Sequence, residues 1–497
     1  MNAQKQKLST TLDRIPAGDP SVTPELKVTN KLPKGVTSKE LYKDIIFIAW
    51  PSFVELLLTQ LTSMVDMMMV GNIGGKLNPD VGTNAISAVG LTTQPKFLLM
   101  AAFVAMNTGV TALIARYKGQ GDKEKANLVL RQGLMFTFFS TLLISLLGYI
   151  FAEPMVKFMG DKGDLVTGPA TTYLQIQMLG FLPLALTSTI TAALRAVGDS
   201  RTCMVYNLIA NLVNVVFNWL LIEGNWGFPE LKVDGASIAT VIGQTVAFII
   251  ALCIILKGNS FLKLEVKKGF KPEKDTLKNL ISIGLPAMLE QLLMRAGMVT
   301  FAKTVADIPD NISFATHNIC MNIQALSFMT GQAFAVSATS LVGQSLGRNR
   351  SDMAQAYCSR TRNIGFFTSI LLTILFALGG RWLVGLYSND SAVIDLGATI
   401  MLFVAFLQPF QTSQFIVAGG LRGAGDTRST AIITTITVLF VRPIVAMLLI
   451  YLGLGLYGAW IALACDQLLR SAMVILRYQS GKWKLIKIKH GTQKAAS

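Results

Sequence analysis

Charge is scarce in this chain. Only 14% of its 497 residues are Asp, Glu, Lys or Arg, against about 25% in soluble globular proteins, so an ordinary water-soluble domain is excluded. Histidine is scarcer still: there are 2, without HExxH spacing, so metal-assisted hydrolysis has no ligand set. The five cysteines (Cys203, Cys253, Cys320, Cys358 and Cys465) are dispersed and form no CxxC. Neither a disulfide framework nor a zinc site is indicated. With no metal cluster and no nucleophile–base pair in view, a membrane-embedded enzyme is disfavoured, and no cofactor is expected.

Apolar residues, at 52%, dominate instead, in runs such as Met135–Ala152 and Val241–Leu256. A bilayer core of about 30 Å takes roughly 20 apolar residues per helix. On that measure the chain holds about twelve transmembrane helices, near 45–70, 84–115, 129–152, 165–191, 203–223, 236–257, 280–306, 312–342, 359–386, 391–418, 430–452 and 456–477. Only helices satisfy every backbone group inside lipid at these lengths. The fold class is therefore an all-α polytopic membrane protein.

The net charge of +16 has a one-sided distribution. Lys and Arg gather in residues 1–43, around Arg116–Arg131, at Arg195 and Arg201, between Lys257 and Lys278, over Arg348–Arg362 and beyond Arg477. With an even helix count these segments share one face of the membrane. The opposite loops (72–83, 153–164, 224–234, 307–311, 387–390) carry only scattered lysines. This is the positive-inside pattern, and it places both termini in the cytoplasm of a cell (plasma) membrane protein. A nucleic-acid partner would need basic residues on a folded soluble unit with aromatics placed to stack, and none is present. The polar start reads as a cytoplasmic tail, not a signal peptide.

Four segments repeat in order at spacings of 223 to 235. Pro51-Ser-Phe-Val-Glu55 recurs as Pro286-Ala-Met-Leu-Glu290, and Thr111–Ala126 aligns with Thr339–Ala354. Leu194-Arg-Ala-Val-Gly-Asp-Ser-Arg201 recurs as Leu421-Arg-Gly-Ala-Gly-Asp-Thr-Arg428, and Gly235-Ala236 with Gln244 as Gly458-Ala459 with Gln467. Six helices per copy make these parallel repeats, an arrangement of membrane chains with a substrate path between halves. The expected organisation is a tail at 1–43, an N-lobe at 44–257, a cytoplasmic linker at 258–279, a C-lobe at 280–478 and a tail at 479–497. The lysine-rich linker reads as a solvated connector or as a contact with anionic lipid.

Ionisable groups inside a membrane are costly and face an interior. Glu55, Thr59, Thr62 and Asp66 follow at intervals of 4, 3 and 4, and so do Asn207, Asn211, Asn214 and Asn218. Each set occupies one helical face. Asn214 and Asn218 reach a depth similar to Asp66, giving an oxygen-rich pocket suited to a proton or a small hard cation such as Na⁺. The plainer reading is interhelical glue, at about 1 kcal/mol per asparagine. In the second half Asp66 maps to Phe301 and the asparagines to Thr434, Val438, Val441 and Val445. The ion site thus belongs to the first half: Asp66, Asn214, Asn218 and Asn211. Glu55, Glu290 and Gln244 are candidates for a substrate or second-proton site, Glu290 equally for a structural carboxylate paired with an arginine. Arg442, just before Pro443, is expected to pair locally, and His317 to hydrogen-bond between helices.

At these residues the chain resembles the multidrug and toxic compound extrusion (MATE) family. The resemblance rests on Val65-Asp66 with Val70-Gly71, on Leu194–Thr202, on the asparagine stripe, on Ala315-Thr-His-Asn-Ile319 and on Leu341-Val-Gly-Gln344. It covers residues 45 to 478 and implies a V-shaped fold of two six-helix pseudo-symmetric lobes. It also implies alternating access and efflux of amphipathic, usually cationic small molecules driven by H⁺ or Na⁺ entry, with function as a monomer in the lipid bilayer. Asp66, Asn214 and Asn218 stand where family members hold the coupling ion. Two departures stand out: Asn218 where many relatives have Asp, and Met294 and Arg295 where some relatives place a key glutamate. The rival reading is a flippase or exporter of a lipid-linked saccharide; the acidic, amide-rich stripe disfavours a pyrophosphate ligand.

Overall fold

The computed structural model describes residues 10–28, 32–73, 79–160, 163–258, 260–306, 308, 311–388 and 390–486. Among these residues the regular structure is helical throughout. The principal helices are α1 (Ser38–Gly71), α2 (Pro79–Gln120), α3 (Lys123–Ile150), α4 (Asp164–Leu179), α5 (Phe181–Ala196), α6 (Ser200–Ile222) and α7 (Lys232–Lys257). They continue as α8 (Lys274–Ala306), α9 (Asn311–Gly347), α10 (Ser351–Gly385), α11 (Ser391–Gly423), α12 (Thr427–Thr434), α13 (Arg442–Leu449) and α14 (Gly455–Gln479). Among the described residues nine helices are long and apolar enough to cross a membrane, ten if the bent pair α4–α5 counts as one. The twelve expected segments fall on the principal helices, but 280–306 lies on α8, which is not among the nine, and 430–452 with 456–477 count there as one span, Thr427–Gln479.

The breaks have local causes. Between α4 and α5 the axis bends by 49° at Gly180. Pro183, three residues on, has no N–H to give the Leu179 carbonyl. Between α12 and α13 the backbone widens into a π-helical stretch, Thr435–Val441, just ahead of Arg442 and Pro443. A proline that removes one rung of the ladder favours such a widening. The helices also run past the apolar segments at their polar ends. α1 starts at Ser38 because Thr37 and Glu40 form a reciprocal cap, with the Thr37 N–H donating to Glu40 Oε2 at 3.0 Å.

The chain divides into two compact units, one comprising Val54–Val110 and Lys123–Ile281, the other Met1–Phe53, Thr111–Asp122 and Ser282–Ser497. They are called unit N and unit C here. Unit N packs Phe103, Leu174, Met178 and Phe181 into one apolar cluster. Unit C buries Phe301, Phe376, Met401 and Trp460 in another. Unit C also takes in the chain's start: the Thr11 N–H donates to Asp44 Oδ2 at 2.8 Å, and Lys484 Nζ donates to the carbonyl of Glu25 at 2.8 Å.

The repeated Gly-Asp-Ser/Thr-Arg segment is a helix-starting device. Gly198 and Gly425 take φ of +90° and +87°, which a residue with a side chain adopts only at a cost. The aspartate that follows sits at the N-cap. Asp199 Oδ1 accepts from the Thr202 N–H at 3.3 Å and from its hydroxyl at 2.8 Å, and Asp426 Oδ1 accepts from the Ser429 hydroxyl at 2.7 Å. α6 and α12 therefore start alike.

Candidate functional site

Asp66 comes from the C-terminal half of α1, where it is half-buried. The stripe of α6 faces it. Asn218, fully buried, donates its amide N–H to Asp66 Oδ1. Asn214, one turn earlier, is also buried; with its amide oriented as its surroundings require, it donates to the same oxygen at 3.0 Å and accepts from the Thr240 N–H at 3.2 Å. Two amides thus converge on one carboxylate oxygen, and Thr240 of α7 anchors the second. The 4-residue spacing read from sequence is what makes this convergence possible.

A lysine that the sequence reading passed over completes the cluster. Lys96 lies inside α2, directly after Pro95, and its ammonium donates to Gln177 Oε1 at 2.9 Å. Gln177 in turn donates to Ser237 Oγ at 3.2 Å, and Ser237 donates to the Tyr173 carbonyl at 2.9 Å. Ser237 and Thr240 are three residues apart on α7, so this chain runs beside the Asp66–Asn214–Thr240 chain. The charges of Lys96 and Asp66 act on each other. The signal was available: Lys96 is an ionisable residue within the apolar segment 84–115, and such residues mark interior sites.

Glu55 lies elsewhere on α1 and is occupied. Arg195 Nη2 is 2.7 Å from its Oε2, and Asn207 donates to its Oε1 at 2.6 Å. Unit C repeats the arrangement. Arg422 Nη2 donates to Glu290 Oε1 at 2.6 Å, the Thr430 hydroxyl to Oε2 at 3.0 Å and the Thr434 hydroxyl to Oε1 at 3.5 Å. All three positions correspond through the repeat: Glu55 with Glu290, Arg195 with Arg422, Asn207 with Thr434. The arginine of the repeated Leu-Arg segment is therefore the counter-ion of the glutamate on the first helix of its own half.

The remaining residues sort by geometry. Asn211 Nδ2 and Gln244 Oε1 are buried without partners among the described residues. Gln244 packs at the α4–α5 bend, where a methyl on Gly180 would come within 3.0 Å of its oxygen. Arg442 pairs locally, its Nε donating to Asp466 Oδ2 at 2.9 Å. His317 lies between the rings of Phe301 and Trp460, at centroid distances of 5.5 and 5.7 Å, with Nδ1 unpartnered. It is packed against aromatics rather than held by a hydrogen bond at that atom.

The chain is matched by the family model described as MatE over residues 51–220 and 286–465. It is similar to a probable multidrug resistance protein, NorM, of Thermotoga maritima, with 27% identity over 457 residues, 92% of this chain and 96% of the relative. An uncharacterized transporter of Bacillus subtilis, YisQ, is 27% identical over 442 residues, 88% of this chain and 94% of its own. In fold it is similar to a MOP superfamily transporter from Pyrococcus furiosus, with a TM-score of 0.81 at 20% identity over 91% of this chain and 99% of that one.

Proposed function

Since the chain belongs to the MatE family, we propose that it is a secondary active antiporter exporting amphipathic, cationic drugs or metabolites in exchange for an entering proton. The reading places it as a monomer in the plasma membrane, with both termini in the cytoplasm as the distribution of lysine and arginine requires. The resistance named for the Thermotoga relative agrees with this substrate class. Transport proceeds by alternating access between two states.

The observation that carries the reading is the pair of amides on Asp66 Oδ1. An ionised carboxylate accepts both. A protonated one still accepts through its carbonyl oxygen, but both hydrogen bonds lose their charge assistance and the new O–H must find an acceptor. Asn218 Oδ1 is buried and unpartnered, so rotation of that amide offers an acceptor for the new O–H. Protonation therefore repacks α1 against α6 within unit N. A sodium ion needs several oxygens turned toward it at once, whereas a proton needs only that of Asn218. Neutralising Asp66 also weakens the hold on a cationic substrate, which leaves outward. Proton and substrate then act on the two-state equilibrium in opposite directions, as coupling demands.

The test is efflux of a fluorescent cation from proteoliposomes under an imposed pH gradient or an imposed Na⁺ gradient, with wild type beside Asp66→Asn. Transport driven by the pH gradient and abolished in the variant is the expected result. Equal transport by Asp66→Asn removes the proposed coupling site. If no cation moves under either gradient, cation efflux itself is wrong.

A further inference from the structure

Phe301 occupies in unit C the repeat position that Asp66 holds in unit N, and the charge beside it has the opposite sign. The Arg442 guanidinium carbon lies 5.5 Å from the Phe301 ring centroid. Arg442 Nε donates to Asp466 Oδ2 at 2.9 Å, and Arg442 Nη2 and Arg470 Nη2 donate to that same oxygen. The three residues are 6%, 0% and 3% exposed. Two guanidiniums thus share one carboxylate. Among the described residues neither has a second carboxylate within ion-pair distance.

One positive charge is left over in a buried place. A lysine there would shed its proton; a guanidinium does not. Burying such a charge without a counter-charge is strongly unfavourable. The hydrogen-bond inventory is short in the same place: Arg470 Nε, an N–H donor, is buried with no acceptor among the described residues. Excess charge and missing acceptor are independent observations, and an anion supplies both.

We propose that Arg442 and Arg470, held by Asp466, form a monovalent-anion site in unit C. Its occupant is either a free halide or the carboxylate of an organic substrate. Phe301 and Asp466 position the two guanidiniums, one by its ring face and one by its Oδ2.

The experiment is thermal unfolding of the purified full-length protein in detergent at constant ionic strength. Chloride, or acetate, replaces a bulky sulfonate, and Arg470→Gln is run beside wild type. The variant keeps the neutral Arg442–Asp466 pair and removes only the excess charge. A saturable rise of the wild-type melting temperature with chloride, absent in Arg470→Gln, is the expected result for a halide occupant. The same rise with acetate alone assigns the site to a substrate carboxylate. No anion-dependent shift in wild type, or an equal shift in the variant, overturns the proposal. Should Arg470→Gln fail to fold, Arg470→Lys takes its place. A lysine there lacks the fork and, with no anion beside it, sheds its proton, so an unchanged midpoint of the anion titration in Arg470→Lys overturns the proposal.

Discussion

Arg422 Nη2 lies 2.6 Å from Glu290 Oε1 in unit C, and Arg195 Nη2 stands 2.7 Å from Glu55 Oε2 in unit N. The glutamate side chains are 2% and 9% exposed. Removing one partner from such a pair strands a buried charge, at a cost of about 3–5 kcal/mol. Arg422→Met is therefore expected to unfold at distinctly lower temperature or denaturant concentration. The double variant Glu290→Gln/Arg422→Met should recover much of the loss, because no charge is then left alone. If instead Glu290→Gln alone abolishes transport at unchanged stability, the glutamate handles substrate or a second proton.

The asparagine stripe divides by what each member touches. Asn214 and Asn218 donate to Asp66 and Asn207 donates to Glu55, but Asn211 Nδ2 has no partner. Asn214→Leu and Asn218→Leu are expected to slow proton-driven efflux at least tenfold, equivalent to about 1.4 kcal/mol. Asn211→Leu should stay close to wild type, since its Nδ2 makes no hydrogen bond among the described residues that the change could remove. Initial rates in proteoliposomes separate the two outcomes. Equal losses at all three positions would point to helix packing as the common cause.

If Asp66 is the coupling site, Lys96 is expected to bias its choice of ion. An ammonium whose charge already acts on Asp66 disfavours a second cation in the same cluster. Wild type should therefore show no sodium-dependent gain in thermal stability. Lys96→Gln, which keeps a hydrogen-bonding partner for Gln177, should acquire one. A sodium effect of the same size in both proteins would show that the lysine plays no part in ion choice.

Most of the helical scaffold was legible because lipid demands long apolar helices, and because the chain states its plan twice. The meeting of Asn214 and Asn218 with Asp66 was legible from the 4, 3, 4 spacings taken with matching depths along the two helices, whereas Asn211, expected beside them, makes no contact with Asp66 through its Nδ2. The bend at Gly180 was not, because the segment 165–191 is apolar on both sides of it and hydropathy is blind to a missing backbone donor at Pro183. Lys96 was missed for a related reason: a lone lysine in a long apolar run leaves no periodic pattern. The pairing of Glu55 with Arg195 joins residues 140 apart in sequence. Its trace was the matching repetition of Glu290 and Arg422, and the contact itself was needed to link the two echoes.

The linker read from sequence at 258–279 as a solvated connector or a lipid contact is fastened, over residues 260–273, by the amides of Asn127 and Gln132 on α3 and by Arg131, whose Nη1 donates to the Gly269 carbonyl at 3.3 Å. Asn127 Oδ1 accepts from the Lys263 N–H at 2.9 Å. Gln132 donates to the Lys271 carbonyl at 2.7 Å and accepts from the Glu273 N–H at 3.3 Å. The exposed Lys268 ammonium adds ion pairs to Glu265 at 2.7 Å and to Glu124 at 3.3 Å. The hydrogen bond between Lys268 and Glu265 holds the Glu265 carboxyl below its ordinary value and the Lys268 ammonium above its own. The carboxylate's contribution is present above the ordinary carboxylate range and is lost as pH falls through the lowered value. The ammonium's contribution is full below the ordinary lysine value and is lost as pH rises through the raised one. Between those limits neither group titrates, and exposed pairs contribute little in any case. Once corrected for intrinsic rates, hydrogen-exchange protection of the Lys263 and Glu273 amides should be flat from mildly acidic to mildly alkaline pH, and insensitive to Lys268→Ala. Gln132→Leu should speed exchange at Glu273 roughly tenfold by removing its acceptor. Protection that instead collapsed with added salt would put the lysines, not the amides of α3, in charge of the linker.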